Sequence, residues 1–447
     1  MKKVITKSLA LLLAIMTVCG LVACGPRVRQ TGVVNVNEVP EVSGTIKFSY
    51  EANTENKKMA ANAYIDAFIA KYPDAKVVRD YDYKTSMADQ RISANSIGDV
   101  FYFAESEAYN YAKTQGALMP LDHYMQAFKI NTDDIYSGIY AAGMIDGKYY
   151  YVARDFNQMI MTYNKDAIVT AALTEDVVPG WSWDTFIDDC QKVTNETQYG
   201  ALIDLAYGPA FIPLLNAVGK TDENGRVKNW YNTANRTVDF TSEGMLDAIQ
   251  QLFDAYYDGR INLNLFDDDP LYAGKEPVFV QQVYIQVDAY GQEFKEKETD
   301  WDMIHLPLSN NPMFGCGSSG VGVYNGTRNA NAAAAFALFF YTQDGQIAFN
   351  GQDGGSVPVL ASLKDADFWR HAEDEWSEKY WDANIYMADE YAVIGQFKCI
   401  LPPEVAEVIE KNLKPALIEV AQGADLTTQM VEIQETANQK WASLAED

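Results

Sequence analysis

Gly315, Gly317 and Gly320, within FGCGSSGVGVYNGT, stand at the G-x-G-x-x-G spacing of a dinucleotide-binding loop. Such a loop needs a helix opening directly behind it, so that backbone N–H groups and the helix N-terminus receive a pyrophosphate. Here the following VGVYNGT alternates like a strand, and helical character begins only near Asn329. The nucleotide reading fails on that requirement. Ser318 and Ser319 lack the flanking glycines of a nucleophile elbow. His123, His305 and His371 are the only histidines and show no zinc-ligand spacing. Asp267-Asp268-Asp269-Pro270 is an acidic loop without the twelve-residue calcium pattern. Carboxylate pairs suited to glycoside hydrolysis are always on offer among 62 acidic residues. No cofactor and no resident metal is called for, which leaves non-covalent recognition as the chemistry to place.

The elements that would position such groups alternate between strands and helices. TIKFSYEA (45–52) alternates as a strand. ENKKMAANAYIDAFIAKYPD (55–74) carries Met59, Ala63, Ile65, Phe68 and Ile69 at helical spacing and stops at Pro73. AKVVRDYD reads as a second strand, SMADQRISANSIG as a helix closed by Gly98, and DVFYFAE as a third strand. This βαβαβ run predicts an open α/β sheet with helices on both faces. Its ligand-facing ends are Tyr50-Glu51, Asp80-Tyr81-Asp82 and Glu105-Ser106. Further on, WSWDTFIDDCQKVT predicts a helix capped by Ser182, TSEGMLDAIQQLFDAYYDGRIN another closed by Gly259, and PVFVQQVYIQVDAY a strand-like segment leading to a helix through Glu293. NANAAAAFALFFYTQDGQIAF predicts an apolar helix, and the last 45 or so residues read as helical. No repeat indicates a solenoid.

Lys2, Lys3 and Lys7 precede an apolar run from Leu9 to Ala23, too short to span a bilayer and of signal-peptide type. LVACG at its end predicts a lipobox, with Cys24 the lipid-bearing N-terminus and residues 25–44 a flexible tether. Cys19 leaves with the leader. Cys190, Cys316 and Cys399 remain, too few and too far apart for a disulfide framework; no pair is singled out, and the reading is small buried apolar residues. The formal charge of −27 falls further without the leader lysines. Such a surface repels nucleic acid, and no basic stripe interleaves with aromatics.

Taken in order, YIDAFIAKYPDAKV, ISANSIGDVFYF, QGALMPLDHYM, DGKYYYVARDFNQMIMTYNKDAI, PGWSWDTFIDDCQKVT, GCGSSGVGVYNGTRNANAAAAFALFFY and GGSVPVLASL resemble the extracellular solute-binding proteins of bacterial ABC importers, sugar-binding group. The resemblance runs from about Thr45 to the end. It departs at YYVARDF, which lacks the proline of the family's loop. It implies a two-lobed, type II periplasmic-binding-protein-like α/β fold, each lobe a mainly parallel sheet flanked by helices with a ligand cleft between. By that pattern 1–23 is the leader, 24–44 the lipidated tether, 45–155 plus 314–365 one lobe, and 156–313 plus 366–447 the other. The implied protein is a monomer held by lipid on the outer face of the cytoplasmic membrane. It captures a small polar solute, in the first instance a carbohydrate, closes by hinge motion, and delivers it to ABC permease subunits without catalysis. The alternative is a secreted lipoprotein glycan hydrolase.

A sugar site needs aromatic faces for ring surfaces and planar polar groups for hydroxyls. The candidates are Tyr50, Glu51, Asp82 and Glu105 at the strand ends, and Arg154, Asp155 and Asn157 in the first crossing segment. Tyr207, Trp230, Asp288 and Tyr290 stand for the second lobe, with Trp369, Trp376 and Trp381 as late aromatics. Gly317, Ser318 and Ser319 are expected as cleft wall and hinge, so that Ser318→Ala weakens binding.

Overall fold

The computed structural model describes residues 36, 38–216, 230–309, 312–353, 355–371 and 375–444. The leader, Cys24 and most of the expected tether lie outside them. Two five-stranded sheets organise the chain. The first runs Ala75–Asp80, Gly44–Ser49, Val100–Ala104, Ser319–Val323, Val152–Ala153 across its width. The second runs Ile261–Asn262, Gln198–Leu202, Glu276–Gln282, Ile160–Asn164, Trp301–His305. In each, the first three strands are mutually parallel, and the fourth pairs antiparallel with both of its neighbours. Each sheet is therefore mostly parallel with one reversed strand, and that strand arrives from the other half of the molecule.

Three segments cross between the sheets, and each contributes one strand to a third, smaller sheet: Asn157–Gln158, Phe314–Gly317 and Ala392–Ile394. The middle strand, Phe314–Gly317, pairs antiparallel with the first crossing and parallel with the last. Backbone groups of the crossings are thus paired with one another, which a buried connection requires.

Each half has its own apolar core. In the first, the helix Glu55–Lys71 is started by Thr54, whose Oγ1 accepts the Lys57 N–H at 3.3 Å. It buries Ala60, Ala61, Tyr64, Ile65 and Phe68, and leaves Met59 47 % exposed. The buried stripe differs from the predicted one because Tyr64 belongs to it: its ring stacks on Phe340 at 3.9 Å. The helix expected over 86–98 is shorter, Ala88–Ser93. Gly98 does not close it; a Cβ there would meet Lys47 O at 2.7 Å, so glycine permits the close passage of the chain against the first strand. In the second half, Ser182 caps the helix Trp183–Val193 as expected, its Oγ accepting the Thr185 N–H. The helices Pro403–Ala421 and Leu426–Ser443 cover that core with Leu413, Leu417, Met430 and Trp441. The strand expected over 277–290 ends earlier, as Glu276–Gln282, and the helix expected after it already starts at Tyr284 and runs to Glu296. Among the described residues, no helix is long and apolar enough to cross a membrane.

Candidate functional site

A cavity of about 1050 Å³ lies between the two halves. Its floor is the first crossing, where Arg154, Asp155 and Asn157 meet Ser319 of the second. One wall is the first turn of the helix Glu55–Lys71, with Thr54, Asn56 and Lys57; the facing wall is the start of the helix Tyr284–Glu296, with Tyr284, Ile285 and Asp288. The loop after the helix Gln343–Asn350 and the segment Asp367–His371 close the ring.

The floor is tightly organised. Arg154 is 7 % exposed and its Nη2 pairs with Asp155 Oδ2 at 3.0 Å. Burial opposes the guanidinium charge, but Asp155 and surrounding tyrosine hydroxyls hold its pKa above the ordinary arginine value. The guanidinium also lies over the Phe349 ring, 4.9 Å from its centroid. The Arg154 carbonyl accepts from Gln346 Nε2 at 3.2 Å and from Asn350 Nδ2 at 3.1 Å. Gln346 Oε1 in turn accepts from the Val359 N–H and Asn350 Nδ2, and Asn350 Oδ1 from the Ser356 N–H. Two buried amides therefore tie the first crossing to the segment holding Ser356 and Val359, with the amides' bonds satisfied in a low-dielectric setting.

The second crossing is held differently. Glu105 Oε2 accepts the Ser318 N–H at 3.1 Å, and Asp155 Oδ1 accepts the next one, Ser319 N–H, at 2.7 Å. Glu105 is 5 % exposed, and its carboxyl is pushed up to about 8 by burial, with Asp155 adding to the rise. Gly315 has no room for a side chain: a Cβ would stand 2.0 Å from the Pro209 carbonyl oxygen. GCGSSG is two strands joined at Ser318, and its first glycine serves close packing of the crossing against the second half.

Of the residues singled out in sequence, Arg154, Asp155, Asn157, Asp288 and Ser319 line this cavity. Tyr50 does not: it is 1 % exposed, packed between Phe48 and Tyr102. Trp230 is 4 % exposed against Phe240 and Phe397, and Tyr290 is 8 % exposed against Phe294 and Trp301. Glu51 faces Thr85, accepting from its N–H and hydroxyl; burial raises its pKa, but those two bonds prevail and hold it below the usual range. Asp82 is exposed away from the cavity, its carbonyl taken by Arg91. Glu105 lines a separate, smaller cavity. Tyr207 is 43 % exposed and lines neither cavity; burial of its hydroxyl end and the Glu105 charge raise its pKa. The Gly317 backbone passes over Glu105, a Cβ there standing 3.0 Å from Oε1. The Ser318 hydroxyl turns to Tyr151 at 3.0 Å and is 6 % exposed, so it is a core contact and not a ligand-facing group. Trp369, Trp376 and Trp381 are buried; their segment presents Phe368 and His371 to the cavity instead.

Tyr102, Tyr284 and Phe368 supply the aromatic surface, and none of the three was singled out in sequence. Tyr284 carries a signal in retrospect, as the first helical residue after a strand end. His371 is held at φ +51 and stacks on Trp381 at 4.4 Å, a left-handed conformation uncommon for a side-chain-bearing residue. Its Nε2 lies 3.5 Å from Asp288 across the ring. Cys190, Cys316 and Cys399 are free thiols. Among the described residues no cluster is suited to a metal ion, and Asp269 of the acidic loop instead accepts from the Tyr256 hydroxyl.

Residues 63–377 match the family model described as bacterial extracellular solute-binding protein. No curated protein matches the chain significantly in sequence. Among solved structures, the chain is similar to the ABC substrate-binding protein Lmo0181 from Listeria monocytogenes in complex with cycloalternan. They share 16 % identity with a TM-score of 0.68, over 90 % of this chain and 99 % of that one. It is similar to the cyclic alpha-maltosyl-1,6-maltose binding protein from Arthrobacter globiformis at 18 % identity and a TM-score of 0.70, over 89 % and 99 %. UgpB from Mycobacterium tuberculosis in complex with glycerophosphocholine is 17 % identical, with a TM-score of 0.66 over 90 % and 99 %. At these identities the likeness is one of fold.

Proposed function

Because the chain belongs to the bacterial extracellular solute-binding protein family, we propose that it captures a sugar or oligosaccharide in the interlobe cavity and delivers it to an ABC permease. The observation that carries this reading is the cavity of about 1050 Å³, walled by both halves. Its lining joins three aromatic faces, Tyr102, Tyr284 and Phe368, to planar polar groups on Arg154 and Asn157. Aromatic faces take the apolar side of a sugar ring, and amides and guanidinium its hydroxyls. That two of the similar structures are of oligosaccharide complexes or binders supports the same class. The lobes of this reading are 45–155 plus 314–365 and 156–313 plus 366–447, and the crossings between them are the hinge. Ligand favours closure only by contacting the closed arrangement better than the open one. The protein is taken as a monomer, non-catalytic, and tethered through lipid on Cys24 to the outer face of the cytoplasmic membrane.

Thermal-shift and calorimetric titration of the protein lacking residues 1–24 against mono-, oligo- and cyclic saccharides tests it. A saccharide at a hundred times its Kd raises stability by about 2.7 kcal/mol, and Tyr284→Ala weakens that binding about tenfold, roughly 1.4 kcal/mol. A shift with glycerophosphocholine or peptides and none with any saccharide overturns the sugar class; release of reducing ends from glycans overturns the non-catalytic role.

A further inference from the structure

A second cavity, of about 340 Å³, lies where Glu105 sits. Ala108, Ala142 and Ile145 of the first core form one side, and Leu401 and Trp441 of the second core form the other. The volume is within the range of small-molecule sites, and such sites are mostly apolar with a few converging polar groups. Among the described lining residues there is no lysine, arginine or histidine. Asp146 at the rim is already paired with Lys113 at 2.6 Å, and nearby Lys398 is engaged by Glu410. Glu105 is thus the one deeply buried carboxyl on the wall.

The groups that feel the charge of Glu105 come from every element around it. They are Tyr151 and Asp155 from the first half, Cys316 from the second crossing, and Tyr207 and Cys399 from the second half. All five are acids. Asp155 is neutralised by Arg154, not Glu105. Besides the Ser318 N–H and its own backbone N–H, Glu105 meets no cationic side chain among the described lining residues, and Ala108, Ala142, Ile145, Leu401 and Trp441 give hydrocarbon to a wall that also carries Tyr109, Thr233 and Asp146.

We propose that this cavity binds a small hydrophobic ammonium ion, its hydrocarbon body between Ala142, Ile145, Leu401 and Trp441 and its N–H donors on the Glu105 carboxylate. This is a site apart from the solute cavity and does not rest on the sugar assignment. Burial keeps Glu105 protonated at neutral pH. Binding therefore exchanges its proton: the carboxylic O–H gives up H⁺ to solvent, the carboxylate accepts from the ammonium, and the ammonium keeps all its protons. With a carboxyl at about 8, roughly ten in eleven sites are protonated at one pH unit below, so binding near pH 7 releases about one proton per site.

Calorimetry with cyclohexylamine hydrochloride at pH 7, in two buffers of different ionisation enthalpy, reads that proton directly on the protein lacking residues 1–24. The expected result is saturable binding with close to one proton released, and at least tenfold weaker binding of cyclohexanol. Glu105→Gln is expected to remove the proton release and weaken the amine at least tenfold. Ala142→Leu, which fills the cavity and leaves Glu105 in place, is expected to abolish binding and keeps the test decisive if Glu105→Gln does not fold. No binding of the amine, equal binding of the alcohol, proton release unchanged in Glu105→Gln, or amine binding that survives Ala142→Leu each overturns the proposal.

Discussion

The first and second crossing segments run side by side in one small sheet, yet they are fastened by opposite means. The first, around Arg154, is fixed by neutral amides: Gln346 and Asn350 take its carbonyl and pass the bonding on to Ser356 and Val359. The second, around Ser318, is fixed by the Glu105 carboxyl on the Ser318 N–H and by a backbone so close to Pro209 that only glycine fits, while Asp155 of the first crossing accepts the Ser319 N–H and joins the two. An amide network is indifferent to pH, whereas a carboxyl on an N–H is not. The crossings therefore combine an amide network of constant strength with a Glu105 contact whose strength depends on proton activity.

Four changes test that contrast. The largest effect is expected from Gly315→Val, whose side chain must displace the Pro209 carbonyl; overpacking of this kind costs about 3 kcal/mol or more. Its urea midpoint should fall by roughly that loss divided by the denaturant slope, and an unchanged midpoint would mean that the crossing tolerates separation from the second half.

Next comes the pH profile. Glu105 has a folded value of about 8 against 4.5 for the free group. The folded state then holds the proton more tightly, so this contribution is complete below about 4.5 and is lost as pH rises to about 8. The loss amounts to a few kcal/mol, since each tenfold change in proton affinity is worth ~1.4 kcal/mol. Measured from pH 4 to 9, the unfolding midpoint of the protein should fall relative to that of Glu105→Gln as pH rises through that window; parallel curves would remove the proton-dependent half of the contrast.

Gln346→Leu strands the Val359 N–H and removes one of the two bonds to the Arg154 carbonyl, at about 1–3 kcal/mol for a buried group left unpaired, with no dependence on pH between 4 and 9. A pH-dependent loss would show that the first crossing is not held by neutral groups alone. The smallest effect belongs to Ser318→Ala, which removes only the bond to Tyr151, about 1 kcal/mol. Its ligand affinity should equal that of the parent protein in the same titration, because the hydroxyl faces the core.

The framework was legible in the sequence where local rules act alone. The βαβαβ opening, the Ser182 cap and the strand after GCGSSG follow from period, capping and turn chemistry. The order of motifs behind these supplied the two-lobed plan. The site was less legible, for a geometric reason. Position at a strand end places Tyr50, Glu51 and Arg154 at the same rim, but alternation decides that Tyr50 points into the core while Arg154 reaches the cavity floor. At 276–296 the strand passes into the helix through the single residue Val283, with no glycine, proline or Ser/Thr/Asp/Asn cap between them, so the helix start at Tyr284 left no mark in the pattern. Phe368 and His371 lie in a short, irregular segment where no periodicity operates, and only tertiary packing brings them to the ring.

The reversed strand of the first sheet has a consequence for the order in which the chain can take shape. Val152–Ala153 touches that sheet only through Ser319–Val323, which is made after the whole second sheet. As the chain emerges, its first three strands can meet early, but the edge strand must wait for a partner encoded far downstream. Contacts of such long sequence separation form slowly. The nascent first half thus stays open at one side until most of the polypeptide exists.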